Sequence, residues 1–220
     1  MAAEDTTKQL NVLILSIHQE MGENFIKDVC SQASGGTGNV EIGDVRVHMD
    51  VLAGDPRLNA SWDASLQKAD ALILIARFLD VISIDKMKAI YRRLPGETST
   101  PISVVVVREE GETDFKISCP ICGQKLWVRD IDSNKRGRCP NCKKAFTLPD
   151  QNDHLKAQLA LMDRVPVMRV ISGNTESARG ALAQLVDRVS GRALEQAGGV
   201  DQEVLKQATI RVQVNPEDTV

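Results

Sequence analysis

The chain reads as an α/β fold, a doubly wound and mostly parallel sheet wrapped by helices on both faces, with a small β module inserted late in its 220 residues. Three observations predict this. Short aliphatic runs alternate with amphipathic stretches of about 10 to 15 residues, the rhythm of strand–helix–strand crossovers. Aromatics make up only 3% of a chain that is 42% hydrophobic, so the core rests on Val, Ile, Leu and Ala, which suit strands buried on both faces. Four of the five cysteines stand in two C-x2-C pairs, between the third buried strand and the helix that follows it.

Asn11 to Ser16 (NVLILS) follows a polar leader and predicts the first buried strand. Met21, Phe25, Ile26 and Val29 fall at helical spacing between Glu20 and Ser31, and the Gly/Ser-rich SQASGGTGN behind them is a loop. Val40 to Ile42 and Val45 to Leu52 alternate on either side of Gly43-Asp44, as a β-hairpin does. Gly54 to Ser61 predicts a loop, Trp62 to Lys68 a short helix, and Ala71 to Phe78 a second buried strand. Ile84 to Leu94 carries Met87, Ile90, Tyr91 and Leu94 in helical register until Pro95-Gly96 stops it. Ile102 to Val107 is a third buried strand. Past the cysteines, Asp153 to Met162 predicts a helix, Val167 to Ile171 a last strand, and Thr175 to Val189 a closing helix with Ala178, Leu182, Leu185 and Val189 in register. A Gly-Gly break and a polar end predict a partly ordered tail over 192–220. The chain thus divides into a discontinuous body over 10–114 and 150–191, an insert over 115–149, and the tail.

Composition narrows the classes of function. The start, MAAEDTTKQ, lacks a basic segment followed by an apolar one and predicts no secretory leader. The longest apolar runs fall far short of the ~20 residues that span a bilayer, so no membrane partner and a cytoplasmic location are expected. The net charge of −3 is unevenly spread. Between Cys119 and Leu148 seven Lys or Arg face two Asp, leaving +5 there and −8 on the rest.

The spacing C-x2-C-x16-C-x2-C, formed by Cys119, Cys122, Cys139 and Cys142, is that of a four-thiolate site for one structural zinc ion. Each pair makes a tight turn that aims two sulfurs at one point. Leu126 to Val128 and the polar turn at Ser133-Asn134 predict two short strands between them. Four protein thiolates leave no open coordination position, which disfavours catalysis at the metal. A module this small draws its folding energy from the ion. The segment ISCPICGQKLWVRDIDSNKRGRCPNCKKAFTLP resembles the short bacterial zinc-ribbon family, with its CPxCG knuckle, hairpin, CPxC knuckle and aromatic strand. Cys30 stands alone on a helix and reads as a small apolar residue.

In its order of elements the body resembles the small Ras-like GTPases over roughly residues 10 to 190. At the place of their phosphate loop, G-x4-G-K-[ST], stands Ile17-His-Gln-Glu-Met-Gly22-Glu23-Asn24. Gly22 keeps the second glycine, Glu23 replaces the phosphate-binding lysine, and Asn24 replaces the magnesium-binding hydroxyl. That loop works by turning N–H groups and one cation toward phosphate, which a carboxylate repels. The family's D-x-x-G is present only as Asp50-Val-Leu-Ala-Gly54, one residue too long. Its N-K-x-D falls near Arg108 to Gly111, where REEG stands, and Ile171-Ser172-Gly173 only loosely matches S-A-K. The resemblance implies a degenerate GTPase-like body, with the insert lying over the face that reads the base. Flavodoxin-like and receiver-like domains are the other doubly wound readings, and their chemistry is absent too.

Of the histidines, His18 ends the first strand, where open α/β sheets bind ligands; His48 reads as a hairpin residue and His154 as a solvated helix start. Asp50, Asp55 and Asp80 stand at strand ends, where turns and helix caps explain them. Function is therefore expected to be non-enzymatic, an adaptor that contacts a protein partner. One alternative is nucleic-acid binding through the basic ribbon, using Lys125, Trp127, Arg129, Lys135, Arg136 and Arg138. Another is an atypical nucleotide-binding enzyme using His18 and Asp50.

Overall fold

The computed structural model describes residues 8–53, 61–94 and 100–191. In chain order these form β1 (Lys8–Ser16), α1 (Gln19–Val29), β2 (Thr37–Ile42), β3 (Val45–Ala53), α2 (Ser61–Lys68), β4 (Ala71–Arg77), α3 (Val81–Tyr91) and β5 (Ile102–Arg108). The insert follows as β6 (Phe115–Ser118), β7 (Lys125–Val128), β8 (Arg136–Arg138) and β9 (Ala145–Thr147). α4 (Gln151–Leu159), β10 (Val167–Ile171) and α5 (Thr175–Val189) complete the described chain. Asp55, Gly54, the Pro95-Gly96 stop and the tail over 192–220 lie outside the described residues.

Six strands form one sheet in the order β10-β5-β4-β1-β3-β2, parallel except for β2 against β3. The fold is α/β and doubly wound. Successive residues of β1 and β4 are buried on opposite faces. Leu10, Val12, Ile14, Ile73 and Ile75 pack with α1 and α5 on one side, while Leu13, Leu15, Leu72 and Leu74 pack with α2, α3 and α4 on the other. That two-sided burial explains why these strands read as unbroken aliphatic runs. The outer hairpin differs: Val45, Val47 and Met49 are buried against α1, whereas His48 and Asp50 on the opposite face reach water.

Helix ends were less legible than strand cores. α3 begins three residues before its expected start because Asp80 caps it, the carboxylate accepting from the Ile82 N–H at 3.0 Å. Val81 and Ile82, at its exposed start, hide that beginning from a pattern search. α4 likewise starts two residues early, where Asp150 accepts from Asn152 and Asp153, and it stops at Ala160 in the left-handed region.

Gly38 on β2 shows how closely α1 lies on the hairpin. A Cβ there would come 2.5 Å from Cγ2 of Ile26, a residue with no exposed surface. Gly38→Ala is therefore expected to cost about 1–3 kcal/mol through overpacking, read as a lowered midpoint in urea with an unchanged slope.

The insert forms two antiparallel hairpins, β6–β7 and β8–β9. The two strands expected between the cysteine pairs are β7 and β8, which pair with β6 and β9 rather than with each other, and β9 is the expected aromatic strand. β6 was missed because it lies ahead of the first cysteine and is only four residues long. Phe115, Ile117 and Val128 belong to the same buried cluster as Met87 and Ile90 of α3 and Leu155 and Leu159 of α4. Leu126, Phe146 and Leu148 pack beside them. A polar clasp adds to this contact: Arg169 of β10 donates from Nη1 to Asp130 Oδ2 at 2.8 Å and to Gln151 Oε1. Gln151, only 1% exposed, donates in turn to the Thr113 carbonyl at 3.1 Å.

Candidate metal centre and the cleft at the strand ends

Two nearly identical turns build the cysteine cluster. In the first, the Cys119 N–H donates to the Gln124 carbonyl (2.8 Å) and the Gly123 N–H donates back to Cys119 (2.9 Å). In the second, Cys139 donates to Lys144 and Lys143 donates to Cys139, both at 3.0 Å. The left-handed position that such a turn needs is filled by Gly123 in one (φ 73°) and by Lys143 in the other (φ 61°). The β6–β7 and β8–β9 hairpins carry these turns and bring them face to face.

The sulfurs of Cys119, Cys122, Cys139 and Cys142 all lie within 4.8 Å of one another. Cys119 Sγ is 3.9 Å from Cys142 Sγ, and Cys122 Sγ is 3.7 Å from Cys139 Sγ. A disulfide needs about 2.05 Å. A tetrahedron of sulfurs around a zinc ion at about 2.3 Å has edges of about 3.8 Å, close to those two distances. The four residues fit a metal ion. Backbone donation from Gln124, with the three neighbouring thiols, draws Cys122 down to about 6. At Cys142 the Lys144 N–H pulls the same way, but burial and the other three cysteines outweigh it and push that thiol up to about 11. Negative charge on one of these two sulfurs opposes ionisation of the other, and a cation held between them would offset it. Asn141 donates from Nδ2 toward Cys122 Sγ at 3.7 Å. Cys30 stands apart, buried under the hairpin with its thiol donating to the Asn39 carbonyl at 2.9 Å.

The basic residues of the insert fall into two groups. In β6–β7, Lys116 pairs with Trp127 and Ser118 with Lys125 on the face turned from the core. The Lys116 ammonium sits 4.4 Å from the Trp127 ring centre, and Lys125 donates to Ser118 Oγ at 2.9 Å. Arg136 and Arg138 are exposed on β8, two residues apart and on one side. Neither has an ion pair among the described residues. Arg129 and Lys135 instead clamp Asp132, at 2.8 and 3.3 Å, and hold its carboxyl below the usual range. Lys116 was not among the candidates read from the sequence; its signal was the alternation of β6, which places it opposite Trp127.

The phosphate-loop comparison meets a direct structural obstacle. β1 ends at Ser16 and α1 begins at Gln19, so only Ile17 and His18 join them. Gly22, Glu23 and Asn24 lie inside the helix, where no loop of free N–H groups exists to cradle phosphate. Gly22 serves packing instead: a Cβ on it would come 2.7 Å from Val51 Cγ1 of β3.

A cavity of about 380 Å3 opens between α1 and the carboxyl ends of β4, β5 and β10, beside the β1/β4 switch point of the doubly wound sheet. Its lining includes His18, Glu20, Asp28, Arg77, Asp80, Glu109 and Ser172 but no residue of 115–149. The insert therefore does not cover this cleft, contrary to the expectation from its place in the chain. It sits instead against α3, α4 and β10, because Phe115, Ile117 and Val128 are drawn to that face. Most of the cleft's charges are already engaged: Asp28 accepts from Gly173, Asp80 caps α3, and Arg77 pairs with Glu109 at 3.0 Å.

The other candidates are dispersed. Asp50 bonds His48 Nε2 at 3.2 Å on the outer hairpin, and Asn39 Oδ1 lies 2.9 Å from His48 Nδ1. His18 and Asp50 line separate cavities, so the structure does not assemble the pair expected of an atypical enzyme. His154, expected to be solvated, is half-buried with its ring 5.5 Å from Phe115. Desolvation holds its pKa below 6.5, although the backbone of Lys116 acts in the opposite sense. Among the described residues, no helix is long and apolar enough to cross a membrane.

No family model matches the chain, and no curated protein matches it. Among solved structures, one described as a crystal structure of a mutation variant of SsGBP aligns with 85% of this chain, at 15% identity and a TM-score of 0.49. The chain spans 58% of that structure's length.

Proposed function

We propose that this protein is a non-catalytic, zinc-containing docking protein: a degenerate GTPase-like body that carries a zinc ribbon as its working surface. The observation that carries this reading is the set of four sulfurs within 4.8 Å of one another on two matched turns. Thiolate softness and a closed four-ligand set favour zinc in a structural role. Support for the body comes from the parallel sheet with one antiparallel hairpin strand, and from an insertion just where the base-reading motif is missing. The two-residue β1–α1 connection supports a body without nucleotide chemistry, and the dispersal of His18 and Asp50 supports a body without a catalytic centre.

Native mass spectrometry of protein purified without added metal or nucleotide tests the proposal. One zinc ion per chain and no other bound mass is the expected result. A retained guanine nucleotide overturns the non-catalytic body, and a metal-free native chain overturns the ribbon. Restoring the family's residues with Glu23→Lys and Asn24→Ser is expected to create no GTP binding by isothermal titration, because both positions lie in the first two turns of α1.

A further inference from the structure

The β6–β7 hairpin has one buried face and one outward face, and the two differ sharply. Inward lie Phe115, Ile117 and Val128. Outward lie Lys116, Ser118, Lys125 and Trp127, a face with two cations and no carboxylate. Trp127 is 61% exposed although it neighbours a core strand position, and the Lys116 ammonium rests over its ring. On β8, in the second hairpin, Arg136 and Arg138 are exposed two residues apart, and neither has an ion pair among the described residues. The acidic residues nearby are withdrawn from competition: Asp130 is held by Arg169 of the body, and Asp132 by Arg129 and Lys135.

We infer that the insert binds single-stranded nucleic acid, with a base stacked on Trp127, the adjoining phosphates neutralised by Lys116 and Lys125, and the strand continuing to Arg136 and Arg138 of the second hairpin. The inference rests on the docking role proposed for the ribbon and names its partner. An exposed indole framed by cations offers a base a π-face and the backbone a counter-charge, and stacking on an aromatic does not depend on base identity. An apolar peptide finds only one large apolar side chain on that strand face. An acidic peptide satisfies the charges but has no use for the indole.

Fluorescence anisotropy of labelled single-stranded oligothymidylate against the zinc-loaded full chain tests it. Expected is saturable binding in the range of about 1–100 µM at moderate salt, weakening steeply as salt rises. Trp127→Ala is expected to weaken it about tenfold. The pair Arg136→Glu and Arg138→Glu is expected to weaken it by at least as much and to flatten the logarithmic salt dependence by about 2. Arg46→Glu, on the outer hairpin, is expected to leave it unchanged. Zinc content and thermal midpoint are measured on every variant, so a folding failure is seen as such. An absence of binding by a chain that holds one zinc overturns the inference while leaving the docking reading intact. Binding indifferent to both ribbon variants overturns it as well. Tighter binding of a polyglutamate peptide overturns it in favour of an acidic protein.

Discussion

Replacing Cys139 with serine is expected to abolish stoichiometric metal binding and to destabilise far more than the insert. Cys139 is fully buried, and its sulfur faces Cys122 at 3.7 Å. Structural zinc contributes on the order of 10–16 kcal/mol of apparent binding free energy in isolated finger peptides, and serine does not substitute as a soft ligand. Two hairpins of three or four residues per strand do not hold together without it. The loss then spreads. Phe115, Ile117 and Val128 cover α3 and α4, and uncovering them costs the body on the order of 5 kcal/mol. Colorimetric zinc determination and thermal melting check both parts. Cys30→Ser is the matched control: zinc content is expected to stay at one per chain, because that thiol bonds the Asn39 carbonyl and lies outside the four-cysteine cluster. Full zinc content in the Cys139 variant removes that residue from the ligand set.

Phe115→Ala is expected to cost about 3–5 kcal/mol, whereas Trp127→Ala changes stability by no more than about 0.5–1 kcal/mol. The two aromatics stand on paired strands, one register step apart: Phe115 opposes Val128 and Trp127 opposes Lys116. Alternation sends the first inward to 2% exposure and the second outward to 61%. Urea denaturation of both variants gives the comparison. A second readout follows from His154. Its ring packs on Phe115 and is held below 6.5 by desolvation, so opening that contact raises its pKa toward the ordinary value, seen by NMR titration. If Phe115→Ala proves neutral, the insert does not share the body's core. A large cost at Trp127 places that indole in an interface rather than in solvent.

The contrast between those two aromatics marks where local reading stops. The aliphatic runs of β1, β4 and β5 were legible because strands buried on both faces are nearly continuous in aliphatic residues, and β10 was legible although Arg169 stands at its centre. The closing helix over Thr175–Val189 was legible for the related reason that its apolar residues recur on one face. The cluster of four cysteines was legible because two tight C-x2-C turns aim their sulfurs by local geometry, whatever surrounds them.

What the sequence determined by itself was therefore the α/β rhythm, the four cysteines and the unequal charge of insert and body, each a property of short range. The spacing of Met21, Phe25, Ile26 and Val29 already put Gly22, Glu23 and Asn24 in a helix; the tertiary structure added that only two residues join β1 to α1 and that Gly22 packs against Val51 of β3. It decided that the insert leaves the strand-end cleft uncovered, because three apolar side chains are more stable buried on α3 and α4 than exposed at that cleft. It also separated His18 from Asp50, turned His154 inward and left Trp127 in water. Each of those outcomes depends on which faces meet across the sheet, and the burial that selects them is a property of the packed chain rather than of any segment.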